Sequence, residues 1–326
     1  MALAVLIAGH TLVAATGLHA VRYVMGTWCD LVVFDPSPNA DAVEAAFQET
    51  ARLERVMSSW DTASEVSVLN ARAGAGPQPV SRDLAAVVHE ATALCSLTAG
   101  SFDATVGSAV HAWGFDTEAP TKPAPGRARQ AASRIGCDRV SVRSEPPAIT
   151  LEPDTHIDLG GIGKGYAVDR ALAILRAQGV TRAKLDFGSS SLGFVGRMDG
   201  GWPVVVADPR NRDRPLVSFR VVEGAVSTSG QRERSFIRNG HRYGHIFDPR
   251  TGMPVQSRLL LVTVIAPEAA LADGLSTALF VMGTTEGVRL VSKLPNTGAV
   301  FVEERRGHDV AIVTAGRVDN LTRLSR

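Results

Sequence analysis

The stretch from Ile157 to Gln178, IDLGGIGKGYAVDRALAILRAQ, places Gly160, Gly161, Gly163 and Gly165 within six residues. A short extended run, Thr155 to Leu159, is predicted to feed this turn. Apolar residues at Ala167, Ala171, Leu172, Ile174 and Leu175 predict a helix behind it, and Gly179 is placed to end that helix. Strand, glycine turn and helix together aim backbone N–H groups and a helix N-terminus at an anion. Asp158 and Lys164 put one charge of each sign on the turn. Neither common nucleotide pattern fits. A P-loop needs Gly where Asp158 stands and Ser or Thr where Gly165 stands, and a dinucleotide fingerprint needs its third Gly at Tyr166. A lone glycine would more simply mark a turn with positive φ. Four, with Asp and Lys among them, point to a phosphate ligand.

A second constellation lies in PEAALADGLSTALFVMG, opened by Pro267 and closed by Gly283. Past its first turn it is apolar or small except at Asp273, Ser276 and Thr277. Asp273 and Thr277 are four apart, so they share one helix face. A carboxylate and a hydroxyl on a buried helix need partners. Local back-bonding satisfies that need, and so does a hard cation with oxygen ligands. Beside a phosphate turn the cation is the better reading. A third constellation is HRYGHIFDPRTG. It sets His245 near the end of a strand, Tyr243 to Phe247, beside a Pro-initiated turn, where it can act as a base or phosphate donor. STSG, Ser227 to Gly230, offers hydroxyl or N–H donors.

At 326 residues and 45% hydrophobic, the chain can bury a large core, and its net charge of +1 without basic blocks argues against nucleic acid as a partner. Cys29, Cys95 and Cys137 are odd in number and far apart, and are read as small buried residues with neither metal spacing nor a disulfide framework. Residues 1–20 are apolar without Lys or Arg. They suit either an export signal or a buried first strand. Arg22 to Phe34 reads as strand, Ala40 to Met57 as an amphipathic helix, Ser58 to Asn70 as a polar loop around Trp60, and Asp83 to Leu97 as helix. Short strands follow the central helix, and Leu259 to Ile265 is a β-branched, strongly apolar strand.

In order and spacing, MGTWCDLVVFD, SSWDTASEVSVLN, GSFDATVG, IDLGGIGKGYAVD, AVSTSG, HIFDPRTG and ADGLSTALFVMG resemble the FAD:protein FMN transferases, the ApbE family. The resemblance runs from Tyr23 to about Arg317. It implies a single domain over residues 21–326 of mixed α/β (α+β) class, with a mixed β-sheet core flanked by helices. It implies FAD as substrate, Mg²⁺ as cofactor, and transfer of FMN to a Ser or Thr hydroxyl of an acceptor protein, with AMP released. It also implies work outside the cytoplasm, in the periplasm or at the outer face of the cytoplasmic membrane.

By the same resemblance Met25, Trp60, Ser101, Phe102, Asp103 and Ile246 fall where the family contacts FAD, and Asp158 and Lys164 on the diphosphate side. Gly161 offers a main-chain oxygen to the metal; Asp273, Thr277 and Ser276 offer side chains. His245 matches the catalytic histidine. Gly163 stands where many members have Ala, which should loosen the turn, and the lipoprotein cysteine of the family is absent. Two rivals use the same residues. An FAD pyrophosphatase would put water in place of the acceptor hydroxyl. A non-catalytic flavin carrier would keep Trp60 and the turn but would not need Asp273, Thr277 and His245 together.

Overall fold

The computed structural model describes residues 17–231, 234–305 and 309–324, with Arg212 described by its backbone only. Eight strands form one sheet in the order Leu18–Val24, Thr27–Val33, Ala183–Phe187, Ser191–Val195, Ala225–Gly230, Leu259–Ala266, Gly298–Glu304, Val310–Gly316. Every neighbouring pair in it is antiparallel. Three helices, Ala40–Met57, Gly163–Ala177 and Ala269–Met282, pack together on one face. A smaller antiparallel sheet, Trp202–Asp208, Asn211–Val221 and Asp319–Arg323, covers the other.

That layering explains the apolar central strands. In Gly298–Glu304, Ala299 and Phe301 join the helix-side core, while Val300 and Val302 join the core under the small sheet. A strand covered on both faces loses the polar alternation of a half-exposed one. A third apolar cluster, with Trp113, Phe115, Tyr243 and Phe247, builds a cap beside the sheet.

The Ala40–Met57 helix begins and ends where its sequence predicts, with the Asn39 side chain accepting from the Asp41 and Ala42 N–H groups. Other segments differ. The single strand read at Arg22 to Phe34 is a hairpin whose register pairs Val24 with Thr27. Met25 and Gly26 form its two-residue turn, with φ of 53° and 72°. Positive φ at both positions matches the right-handed twist of the flanking strands. The polar loop after Met57 contains a short helix, Glu65–Asn70, capped by Ser64. Thr155 to Leu159 is not a sheet strand; it makes one parallel bridge, His156 to Val106. The strand read at Tyr243 to Phe247 is broken. His241–Gly244 and Phe247–Asp248 pair with different partners, and His245 and Ile246 lie in the gap.

The cysteine reading is also corrected: Cys95 and Cys137 are joined in a disulfide across 42 residues, and Cys29 is a buried free thiol. Spacing along the chain could not reveal a pair brought together by the helix Arg82–Leu97 ending beside the turn at Gly136. Residues 1–16 of the apolar N-terminal segment lie outside the described residues, and Leu18 to Ala20 belong to the first strand.

Candidate active site

The two helices that carry the first two constellations meet at their N-terminal ends, and the glycines allow it. None of Gly160, Gly161, Gly163 and Gly165 has positive φ. Closeness is what they supply. A Cβ on Gly165 would lie 2.2 Å from the Ala269 carbonyl oxygen, and one on Gly161 would lie 3.1 Å from the Phe102 ring and 3.3 Å from Thr277 Oγ1. The turn is therefore a docking joint between helices. Its N–H groups are largely spent inside the protein: Gly160 on Asp158 Oδ1, Gly163 on the Leu159 carbonyl, Gly165 on Asp273 Oδ2 at 2.9 Å.

Asp273 is 5% exposed. Its other oxygen accepts from Ser227 Oγ at 2.9 Å and Ser191 Oγ at 3.4 Å. Among the described residues no cationic side chain pairs with it. A buried carboxylate needs hydrogen-bond partners or a cation, and these neutral donors leave the place of a cation open to a ligand. Thr277 and the Gly161 backbone line the same cleft, and Thr277 Oγ1 reaches its own helix only weakly, 3.5 Å from the Asp273 carbonyl. Ser276 is different. It is fully buried, bonded to Ser229 at 2.7 Å and to the Asp273 carbonyl at 2.8 Å, and does not line the cleft.

Lys164, in the first turn of its helix, donates to Ser190 Oγ at 2.7 Å. Asp158 accepts from Ser59 Oγ at 2.9 Å. His245 is half-buried, with Nδ1 at 3.2 Å from the Arg234 carbonyl. Burial pulls its pKa down to about 4; the charges of Arg234 and Lys164 push the same way, and the Arg234 carbonyl opposes them. The ring is thus neutral at ordinary pH.

Asp273, Thr277, Gly161, Lys164, Asp158, Ser190 and His245 border one cleft of about 960 Å³, together with Met25, Trp60, Ser101, Phe102, Asp103 and Ile246. The Met25 N–H is held by Glu54 at 2.8 Å, and Trp60 is half exposed. Asp103 turns inward. It accepts from the N–H and hydroxyl of Thr105 at 2.8 and 2.7 Å. Burial raises its pKa, against bonds from Thr105 and the Cys137 N–H. It staples the Ser101–Phe102 wall to the disulfide. The sequence reading passed over Ser190 and Ser191, which hold Lys164 and Asp273, and Arg234, which holds His245. The serine run Ser189 to Ser191, at a tight turn between two strands, was the visible signal for the first two.

The ApbE family pattern matches residues 25–301. The chain belongs to the ApbE family. ApbE relatives named FAD:protein FMN transferase include one from Treponema pallidum, 31% identical over 300 residues, covering 86% of this chain and 82% of that one. Another from Klebsiella pneumoniae is 30% identical and covers 87% and 83%. The ApbE protein of Thermotoga maritima superposes with a TM-score of 0.82 at 30% identity, covering 91% of this chain and 96% of that one. The flavin transferase ApbE of Vibrio cholerae gives 0.82 at 25% identity, covering 92% and 97%. The ApbE fold thus extends over the main sheet, its helices and the cleft.

Proposed function

We propose that this protein transfers the FMN part of FAD to a Ser or Thr hydroxyl of an acceptor protein and releases AMP. The observation that carries the proposal is the meeting of Asp273, Lys164 and a neutral His245 in one cleft large enough for a dinucleotide. The Asp273 carboxylate, with Thr277 and Gly161 in the same cleft, offers the oxygen ligands that suit a hard cation. Mg²⁺ held there would neutralise non-bridging phosphate oxygens. Ser276 supports this set from behind, through Ser229 and the Asp273 carbonyl.

The remaining work falls to the chain's own groups. Lys164 places a charge for the diphosphate, oriented by Ser190. With Nδ1–H donated to the Arg234 carbonyl, His245 keeps its lone pair on Nε2. Nε2 then takes the proton of the acceptor hydroxyl as its oxygen forms a bond to the FMN phosphorus. The bond from that phosphorus to the bridging oxygen breaks, and the oxygen leaves with AMP. Trp60 and Phe102 offer aromatic surface to the rings.

We place the reaction outside the cytoplasm, a reading the Cys95–Cys137 disulfide supports because such bonds persist in oxidising compartments. Among the described residues no helix is long and apolar enough to cross a membrane. Incubation with FAD, Mg²⁺ and a flavoprotein acceptor, followed by intact-mass analysis, tests the proposal. The acceptor should gain one FMN phosphoester, and Asp273→Ala should abolish the gain. Cleavage of FAD to free FMN with an unmodified acceptor would instead make the protein a pyrophosphatase.

A further inference from the structure

The cleft holds a second cation beside Lys164. The Arg234 guanidinium carbon lies 4.5 Å from the centroid of the Trp60 ring. Its Nη2 donates to the Phe115 carbonyl at 2.6 Å. Among the described residues no carboxylate forms an ion pair with it; Asp158 and Asp116 act on it only from a distance. The ring contact uses no N–H group, and one bond to Phe115 leaves further N–H groups for a planar, two-oxygen partner. The Arg234 main chain does separate work. Its carbonyl faces both the His245 N–H at 3.1 Å and the ring Nδ1 at 3.2 Å. Arg234 and Lys164 are the two cations whose charges reach His245.

We propose that Arg234 is a phosphate-binding residue of this cleft, held at its wall by Trp60, and that its main chain positions His245 as the base. This rests on the dinucleotide reading of the site. It adds to Lys164 a cation on the Trp60 side, so that a diphosphate meets positive charge at two points. The neutral tautomer of His245 is then set by the residue that also binds the substrate, which couples phosphate binding to the aim of the base.

Arg234→Gln and Arg234→Lys of the whole chain separate these roles, since neither removes the carbonyl that anchors His245. FAD affinity by calorimetry should fall about tenfold or more in Arg234→Gln, the loss expected for one charged hydrogen bond. Arg234→Lys should lose less, because it keeps the charge without the fork. Both should melt within a degree or two of the parent. In the ligand-free protein, NMR titration should show the His245 pKa rising in Arg234→Gln and holding in Arg234→Lys, because a like charge beside an imidazole disfavours its protonated form. Unchanged FAD affinity in Arg234→Gln overturns the proposal. So does an equal loss in both variants accompanied by a lowered melting temperature, the mark of a purely structural arginine. Failure of the transferase reading would show differently: the parent would modify no acceptor, while the affinity difference and the pKa shift would remain.

Discussion

His245 illustrates how a candidate base can be read from sequence while its working range cannot. A histidine in an ordinary setting titrates near 6.5, and that value would put the rising limb of the pH–rate profile in the middle of the physiological range. Burial in the cleft wall, with Arg234 and Lys164 nearby, moves the value down to about 4. For kcat/KM, which reports the free enzyme, the limb is therefore expected close to pH 4. A flat rate from about pH 5.5 upward would agree, and a limb near 6.5 would not. The same shift has a consequence for stability. The folded protein holds this ring unprotonated, so the unfolded chain binds more protons between about 6.5 and 4. Stability from this group is complete above the unfolded value and falls as pH drops through that window. His245→Asn should flatten this dependence in thermal melts, retain FAD binding, and reduce transfer by roughly 10²–10⁴-fold. A variant with near-parent transfer and a sharply lower melting temperature would make His245 a packing residue. The motif around it was legible because its Pro turn is a local signal. The break in the strand at His245 was not, because it arises from pairing with partners elsewhere in the chain.

At the level of elements, the glycine turn has a packing role that its sequence did not show. The sequence reads the four glycines as a phosphate-binding turn. The structure shows ordinary φ and two helix ends packed closer than a side chain allows. The glycines are therefore not equivalent. At Gly163 an added Cβ would meet Met57 Sδ at 3.6 Å, an ordinary contact, and the residue lies in the first turn of the helix. Gly163→Ala should be neutral or stabilising by about 0.4–1 kcal/mol. The expectation that glycine there loosens the turn concerns the unfolded chain more than the folded contacts. Gly165→Ala meets backbone and should cost about 1–3 kcal/mol. It should also weaken metal-dependent activity, because the Gly165 N–H orients Asp273. Melting curves and activity of the two variants check this; equal behaviour would remove the packing argument. The disulfide is another element-scale feature. It ties the end of the Arg82–Leu97 helix to the segment that receives Asp103 and Thr105. Closing a loop of 42 residues stabilises by about 4 kcal/mol in the chain-entropy account. The double variant Cys95→Ser, Cys137→Ser should lose much of that in denaturant melts, and should bind FAD less tightly if the Ser101–Phe102 wall depends on the tie.

For the molecule as a whole, length and composition promised only a large core, and the mixed fold of a sheet flanked by helices followed from the family that the ordered motifs resemble. The ordered motifs were enough to give the family that the comparisons show. What the sequence withheld was the packing of layers. Nothing local tells that Trp202–Asp208 turns away from the main sheet to cover its second face. Nor does anything local bring the serine turn near Lys164 and Asp273, since those contacts join residues far apart in the chain. The cleft exists because of these long-range meetings, and its chemistry should respond to the whole set. The central claim is that this cleft moves FMN onto a hydroxyl instead of merely cutting FAD. The most direct test follows AMP and acceptor-bound FMN together in one reaction with the parent protein, FAD, Mg²⁺ and a flavoprotein acceptor. The account predicts equal amounts of the two products throughout, with both absent when Asp273 is replaced by Ala. AMP accumulating without matching FMN on the acceptor would contradict it.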